Sequence, residues 1–486
     1  MALHPLTNTR ALRDSYIRYL KTIKPFQDEV LRREYAEALS KPGALMKGPI
    51  VEASPPFLPG ASVAQLVAEG VLSHGFSRLC NPELPYERPL HRHQEIAIRK
   101  AVGGRNIVVA TGTGSGKTET FLIPIFDHLL REEVQGTLKR PGVRALLLYP
   151  MNALANDQVK RLRRILEHYP SITFGRYVGE TEYEEGPAHR AFEQNYPEEQ
   201  DIANELKSRQ RIQTEPPHIL LTNYAMLEYL LLRPDDSTLF DGDTGQFWRF
   251  IVLDETHVYS GANATEIAML LRRLQDRVMQ GKQRKLQAIA TSATLGAGKK
   301  DFPAVVSFAS DLFNVPFEWN DNDELRQDVI EATRIPVTEL GDTWGAGTLL
   351  FYRQLGEWAN TWRETPDTGQ EKVRQLIASL RELSPAPLAV LEKAQQAAAR
   401  QPTDAYPIFL YQLLRGDHQL QRLRARLEQG PADLSKLAED LFDGDEESIV
   451  NLVSAARRRR SAAAGALSCL RTCIGRGIHL PEHRCT

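Results

Sequence analysis

Thr111-Gly112-Thr113-Gly114-Ser115-Gly116-Lys117-Thr118 follows the apolar run Ile107-Val108-Val109-Ala110 and precedes the helical pattern Phe121-Leu122-Ile123. Strand, glycine loop and helix in this order form the context of a phosphate-binding loop. Glycines let backbone N–H groups turn toward phosphates, and the helix N-terminus that follows favours the anion. In that reading Thr113, Gly114, Ser115 and Gly116 cradle the nucleotide. Lys117 reaches the β- and γ-phosphates, and the Thr118 hydroxyl ligates Mg²⁺. The strict pattern begins with Gly where this chain has Thr111. The loop by itself implies a bound nucleotide and leaves open what the energy is used for.

Working outward, short apolar runs alternate with amphipathic helical windows from about Arg88 to Pro316. The strand candidates are Ile107–Ala110, Ala145–Tyr149, Thr173–Tyr177, Ile219–Thr222, Phe250–Leu253 and Ala288–Ala290. Helical windows such as Ala153–Glu167 and Ala264–Val278 lie between them. This alternation predicts an α/β domain over 88–318, a parallel sheet with helices on both faces. Glu180–Glu205 is acidic and poor in apolar residues, which predicts a solvated insertion. Residues 1–87 read as an N-terminal helical extension and linker, with a helix pair broken at Pro25. Strand signals vanish after about Glu318, and 319–460 reads as a helical domain. The last stretch, 461–486, reads as an irregular tail.

Two further runs carry chemistry. Ile251-Val252-Leu253-Asp254-Glu255-Thr256-His257 is an apolar strand ending in two carboxylates, at the edge where an open α/β sheet binds its ligand. Asp254 fits the role of holding the Mg²⁺ that bridges the phosphates, and Glu255 that of orienting and deprotonating the attacking water. A strand-end acidic pair facing solvent is the bland alternative; the phosphate loop upstream weighs against it. Thr291-Ser292-Ala293-Thr294 ends another apolar strand, where Ser and Thr more often satisfy local backbone groups. Its position after the loop and the carboxylates is what singles it out.

TGTGSGKT, DETH and SAT in this order resemble motifs I, II and III of superfamily 2 helicases and translocases of the DExH/DEAD-box type. The resemblance implies a RecA-like ATP-binding domain, ATP and Mg²⁺ as cofactors, and a coupling role for His257, Ser292 and Thr294. Pro150-Met151-Asn152-Ala153 resembles the family's motif Ia, which implies strand contacts by Pro150, Asn152 and Ala153. Ile219-Leu220-Leu221-Thr222-Asn223 resembles its later strand-contacting motif, which implies contacts by Thr222 and Asn223. Gln94, in Arg92-His93-Gln94, stands where the family places its adenine-reading glutamine, and a carboxamide can both donate to and accept from adenine. Lys47-Gly48-Pro49-Ile50, Pro55-Pro56-Phe57 and Gly179-Glu180-Thr181 look most like bacterial helicases with a DUF1998-type C-terminal domain. That group includes repair helicases of the Hrq/MrfA kind and phage-defence helicases of the DISARM kind.

Composition narrows the rest. A net charge of −2 over 486 residues gives no global attraction to nucleic acid, so any such attraction is local. The resemblance implies contacts to the strand's backbone, hence sequence-independent, with DNA as the polymer. The greasiest stretch, Ile219–Leu232, contains Asn223 and Glu228 and is too short to span a bilayer, so no membrane partner is expected. Four cysteines do not make a disulfide framework, and the cytoplasm is the default compartment. Cys469, Cys473 and Cys485 crowd near His479 and His483, yet no CxxC pair is present and a zinc site is not expected. The basic run Arg457–Arg460 reads as a solvated helix end.

Superfamily 2 enzymes close ATP between two RecA-like domains, and the second supplies an arginine finger. Gly475-Arg476-Gly477 lacks the Gln three positions before it and the Arg three after Arg476 that motif VI has. The expectation is therefore one RecA-like domain, an N-terminal part lacking the second, with a second RecA-like domain or subunit in trans among its partners and the tail truncated or frameshifted. The function expected is an ATP-dependent DNA helicase or translocase. The alternatives are a non-catalytic module binding ATP and nucleic acid, and a motor subunit of a restriction or defence complex.

Overall fold

Eight short runs assemble one sheet: β1 Ile107–Ala110, β2 Ala145–Tyr149, β3 Phe174–Arg176, β4 Glu205–Leu206, β5 Ile219–Asn223, β6 Phe250–Leu253, β7 Gln287–Ser292 and β8 Val329–Glu331. In the computed structural model they lie in the order β8-β1-β7-β6-β2-β5-β3-β4. Every neighbouring pair is parallel. The structure describes residues 5–41, 44–45, 48–54, 57–112, 114–279, 286–293, 298–334, 343–364, 369–380, 386, 388–399, 405–456 and 471–472. The chain divides into two compact units, 57–333 and 1–56 with 334–486.

The α/β unit carries the helices α1 Arg92–Val102, α2 Lys117–Gln135, α3 Asn152–Leu166, α4 Glu185–Asn195, α5 Tyr224–Leu232, α6 Gly261–Met279 and α7 Phe302–Phe313. Side chains alternate between sheet faces with a period of two, and the two cores follow that alternation. Ile107, Val109 and Leu147 pack with Ile98 of α1, Phe121 of α2 and Leu162 of α3. Val108, Leu146 and Leu148 pack with Leu227 of α5, Leu271 of α6 and Leu312 of α7. Helices therefore cover both faces, as the strand–helix alternation predicted, and the arrangement is the RecA-like one that the motif resemblance implied. Register pairs Ser292 with Ala110 and Ala290 with Leu253, so the carboxyl ends of β1, β7 and β6 finish side by side.

Three expectations are corrected. Strand signals do not end at 318: Val329–Glu331 pairs in parallel with β1. The strand is only three residues long, too short for an apolar run, and it is held by the preceding residue. Arg105 donates to both Asp328 carboxylate oxygens at 2.9 and 2.8 Å, and the Glu318 N–H donates to Asp328 Oδ2 at 2.7 Å. The segment 180–205 is not merely solvated. It contains α4, buries Ala188 and Phe192, and leads into β4 at the sheet edge. Its core is cation on aromatic: the Arg163 guanidinium lies 4.7 Å from the Phe192 ring centre and the Lys207 ammonium 4.9 Å from it, a pattern that apolar periodicity does not reveal. Finally, 57–87 and 319–333 belong with the α/β unit instead of with the flanking regions.

The other unit has its own core, with Phe351, Leu355, Leu376, Phe409, Leu413 and Leu437 among its buried residues. Ile50–Val51 pairs antiparallel with Ala432–Asp433, fastening the segment after the N-terminal helices to this core. Those helices, Pro5–Ile23 and Glu29–Ser40, flank the break at Pro25. In the tail, Arg471–Thr472 pairs with Ala53–Ser54. Arg457–Arg460 and the Cys and His residues of the tail lie outside the described residues.

Candidate nucleotide-binding site

The loop after β1 is shaped by two left-handed glycines, Gly114 at φ 77° and Gly116 at φ 75°. A Cβ at Gly116 would stand 2.3 Å from Gln94 Nε2, so this position needs glycine both for its backbone and for the space. The loop is bonded from inside. Thr111 Oγ1 and Ser115 Oγ, both buried, share a hydrogen bond of 2.6 Å. The Thr111 N–H donates to the Ser292 carbonyl at 3.0 Å, joining the loop to the end of β7. Two side chains of α1 hold the loop from the other side. His93 Nε2 lies 3.0 Å from the Ser115 carbonyl oxygen, and Gln94 Nε2 donates to the Gly116 carbonyl at 2.8 Å. Gln94 Oε1 meanwhile accepts from the His91 N–H at 2.7 Å. The carboxamide expected to read adenine is thus buried and bonded to backbone on both its oxygen and its nitrogen.

The α2 helix begins at Lys117, and its ammonium donates to Glu255 Oε1 at 3.0 Å. Asp254 and Glu255 follow β6 directly, as the sequence implied. Glu255 adopts φ 52° and ψ 48°, a left-handed conformation rare for a residue with a side chain. Outliers of this kind concentrate at functional sites, where the surroundings over-determine them. Here Thr291 does part of that work: its hydroxyl accepts from the Glu255 N–H at 3.3 Å and donates to Asp254 Oδ1. Burial raises the Asp254 carboxyl above the usual carboxylate range; the Thr291 hydroxyl pulls it back, the Glu255 charge pushes it up and the Lys117 charge pulls it down. His257 Nδ1 lies 3.2 Å from Ser292 Oγ and 3.3 Å from Glu255 Oε2, linking the ends of β6 and β7.

A second cluster forms where β2 and β5 end. Asn223 Nδ2 donates to Asn152 Oδ1 at 2.8 Å, and Asn223 Oδ1 caps α5 by accepting from the Met226 N–H at 2.7 Å. Asn152 Nδ2 in turn donates to Glu180 Oε1 at 3.3 Å. Pro150 and Ala153 flank Asn152 at the start of α3. Thr222 does not join them: it is fully buried and its hydroxyl donates to the Tyr177 carbonyl at 2.6 Å. Thr118 lies on the first turn of α2, partly buried. Thr113 and Thr294 lie outside the described residues. Sequence reasoning assigned no role to His93, Thr111 or Thr291. The partners of His93 and Thr291 lie 22 and 37 residues away, and no local pattern marks such pairs, whereas Thr111 meets Ser115 within the loop itself.

Residues 91–302 match the family model of DEAD/DEAH box helicases, and this stretch is a DEAD/DEAH box helicase domain. The Druantia protein DruE of Escherichia coli (strain UMEA 4076-1) is 30% identical over an alignment covering 59% of this chain and 20% of that protein. The ATP-dependent helicase hrq1 of Schizosaccharomyces pombe is 29% identical, over 42% of this chain and 16% of its own. A crystal structure of the DUF1998 helicase MrfA bound to DNA superposes with a TM-score of 0.41 at 20% identity, covering 69% of this chain and 41% of that one. The matched part of the chain thus spans a fifth or less of the two relatives. Among the described residues no helix is long and apolar enough to cross a membrane.

Proposed function

We propose that the chain hydrolyses ATP and couples hydrolysis to movement along DNA, as a superfamily 2 helicase or translocase acting in the cytoplasm. One observation carries the reading: the ends of β1, β6 and β7 are adjacent, and they gather Lys117, Asp254 and Glu255 on one edge, with Lys117 and Glu255 in contact. In this mechanism the backbone N–H groups of 114–117 bind the phosphates, aided by the N-terminus of α2. Lys117 neutralises the β- and γ-phosphates. Glu255, held out of the strand by its left-handed backbone, orients water for in-line attack and takes its proton.

A hard divalent cation takes oxygen ligands, and the Asp254 carboxylate and Thr118 hydroxyl supply them. The Thr291 hydroxyl and the Lys117 charge, which favour the ionised Asp254, fit that role. Mg²⁺ held there would neutralise charge on the phosphates. His257 and Ser292 connect Glu255 to β7, a short path from the hydrolysing carboxylate to the rest of the sheet edge. Asn152 and Asn223 are proposed to meet the sugar-phosphate backbone without reading bases. A second RecA-like domain, in cis or in trans, would supply the arginine that completes the site.

The test is ATP turnover with and without single-stranded DNA or RNA of equal length. Stimulation by DNA that disappears in Lys117→Ala and Glu255→Gln supports the reading. Turnover that survives both substitutions overturns it, and stimulation by RNA alone overturns the choice of DNA.

A further inference from the structure

The N-terminal helix pair presents groups that the nucleotide site does not use. Leu6 and Ile17 of the helix Pro5–Ile23 are buried, which anchors it. Leu12, Tyr16, Tyr19 and Ile23, spaced for one helical stripe, are each about half exposed. Tyr16 and Tyr19 lie near-parallel, with ring centres 6.2 Å apart and planes 24° apart. The helix Glu29–Ser40 buries none of its residues. Charge on the first helix is one-sided: Arg10, Arg13, Arg18 and Lys21, with Lys24 just beyond, stand against Asp14.

Where the first helix turns into the second, an open groove of about 840 Å³ is lined by Lys21 of the first helix, by the turn residues 24–27 and by the second helix. Lys21, Lys24 and Arg33 line it together with Phe26 and Tyr35, and among the described lining residues Glu29 is the one carboxylate. Phe26 and Tyr35 meet edge to face at 5.1 Å, which leaves a ring face of each outside the pair contact. A membrane-binding helix separates its cations from its apolar side chains onto opposite faces. Here cations and aromatic rings converge on one groove. That combination suits a flexible polyanion with stackable rings, phosphates on the cations and bases on the rings. The net charge of the chain is −2, so this local excess of cations is not a by-product of a basic protein.

We infer that the groove at the turn from Pro5–Ile23 into Glu29–Ser40 is a second, ATP-independent binding site for single-stranded nucleic acid. Lys21, Lys24 and Arg33 contact phosphates, and Phe26 and Tyr35 stack on bases. Only the choice of polymer rests on the proposed helicase function. The site uses none of the residues proposed to contact the strand in the α/β unit, and it reads no sequence.

The experiment uses the full chain without nucleotide and a fluorescein-labelled 20-mer of dT, followed by anisotropy over a salt series. In Lys21→Gln/Arg33→Gln affinity falls about tenfold, and the slope of log affinity against log salt falls by about 0.7 for each cation lost. Phe26→Ala weakens the dT 20-mer but not an abasic 20-mer, and the conservative Lys21→Arg/Arg33→Lys restores the slope. Unchanged affinity and slope in Lys21→Gln/Arg33→Gln overturn the inference. So does an unchanged dT affinity in these variants with a loss of binding to phosphatidylserine vesicles, which would make the groove a membrane site. Basal ATP turnover is measured in parallel and stays unchanged in all these variants. Lys117→Ala removes turnover and leaves oligonucleotide binding by the groove intact, so failure of the ATPase reading and failure of this one give different results.

Discussion

Lys117 Nζ and Glu255 Oε1 stand 3.0 Å apart, joining the first residue of α2 to the residue after Asp254. The two side chains are expected to do opposite things to a γ-phosphate: one attracts it, the other repels it and orients water beside it. The phosphate must therefore compete with Glu255 for the ammonium. Glu255→Gln removes both the competitor and the repulsion. It is expected to keep or tighten ATP binding while lowering kcat by about 10²–10⁴, the range for loss of a general base. Lys117→Ala is expected to weaken ATP binding as well as turnover. Binding of a fluorescent ATP analogue beside steady-state turnover checks both, and a Glu255→Gln enzyme within twofold of wild-type kcat would count against the assigned role.

Thr291 ties the two carboxylate residues together, and its contribution has a pH signature. Burial raises the Asp254 carboxyl, and the Thr291 hydroxyl opposes that by donating to the ionised form. If Asp254 must be ionised to hold Mg²⁺, activity falls as pH drops through its folded value. Thr291→Val removes the opposing hydrogen bond, so that value rises further and the acid limb of the pH–rate profile moves to higher pH. Asp254→Asn removes the limb together with the activity. A Thr291→Val profile that overlays wild type would show that Asp254 does not set the acid limb.

Gly116 tests how tightly α1 holds the phosphate loop. Alanine there must adopt φ 75° and place its Cβ against Gln94 Nε2 and, at 3.0 Å, Glu119 Oε2. The left-handed backbone costs about 1–2 kcal/mol, and displacing Gln94 forfeits hydrogen bonds of about 1 kcal/mol each. Gly116→Ala is expected to lower stability by that sum and to weaken ATP binding. Gly112→Ala, whose Cβ would meet nothing within 4 Å, is expected to leave stability nearly unchanged. In a Gln94→Ala background part of the Gly116→Ala penalty should vanish, which a double-mutant cycle by urea denaturation measures. Strict additivity would mean that the two residues do not press on each other.

How much of this was legible in the sequence depended on whether a group's partner is near in the chain. The central strands β1, β2 and β6 appear at the boundaries their apolar runs mark, because a strand buried on both faces must be apolar throughout. Edge strands β4 and β8 escaped notice because two or three residues cannot make a run; they are fixed from elsewhere in the fold by Arg163, which bonds Glu205, and by Arg105, which bonds Asp328. At the site, Lys117, Asp254 and Glu255 were recognisable as residues at strand and helix ends. What the sequence could not show is that Gln94 is spent on the loop backbone, that Thr222 faces inward, or that Thr291 bridges the two carboxylate residues. Each depends on strand register or on a helix docking from far along the chain.

His218, at the opposite end of β5 from Asn223, makes the α/β unit sensitive to acid. It is 4% exposed, and burial together with the nearby Arg144 charge brings its pKa from 6.5 down to about 4. The bond at Nδ1 adds to these causes, while the Leu138 carbonyl works the other way. Nδ1 accepts from the Thr173 N–H at 3.0 Å, so the proton sits on Nε2, which lies 2.9 Å from the Leu138 carbonyl oxygen. A second proton would have to enter at Nδ1, against an N–H already pointing there. The folded pKa is depressed for a base, so the unfolded chain binds the extra proton first. The contribution of His218 to stability is therefore constant above about pH 6.5 and falls as pH drops from 6.5 toward 4, by on the order of 3 kcal/mol in all. His218→Gln is expected to lower stability at pH 7.5 by loss of packing and of the Thr173 contact, and to flatten the decline between pH 6.5 and 4. Urea denaturation of both proteins across that range checks it, and a wild-type decline that persists unchanged in His218→Gln would assign the acid sensitivity to another group.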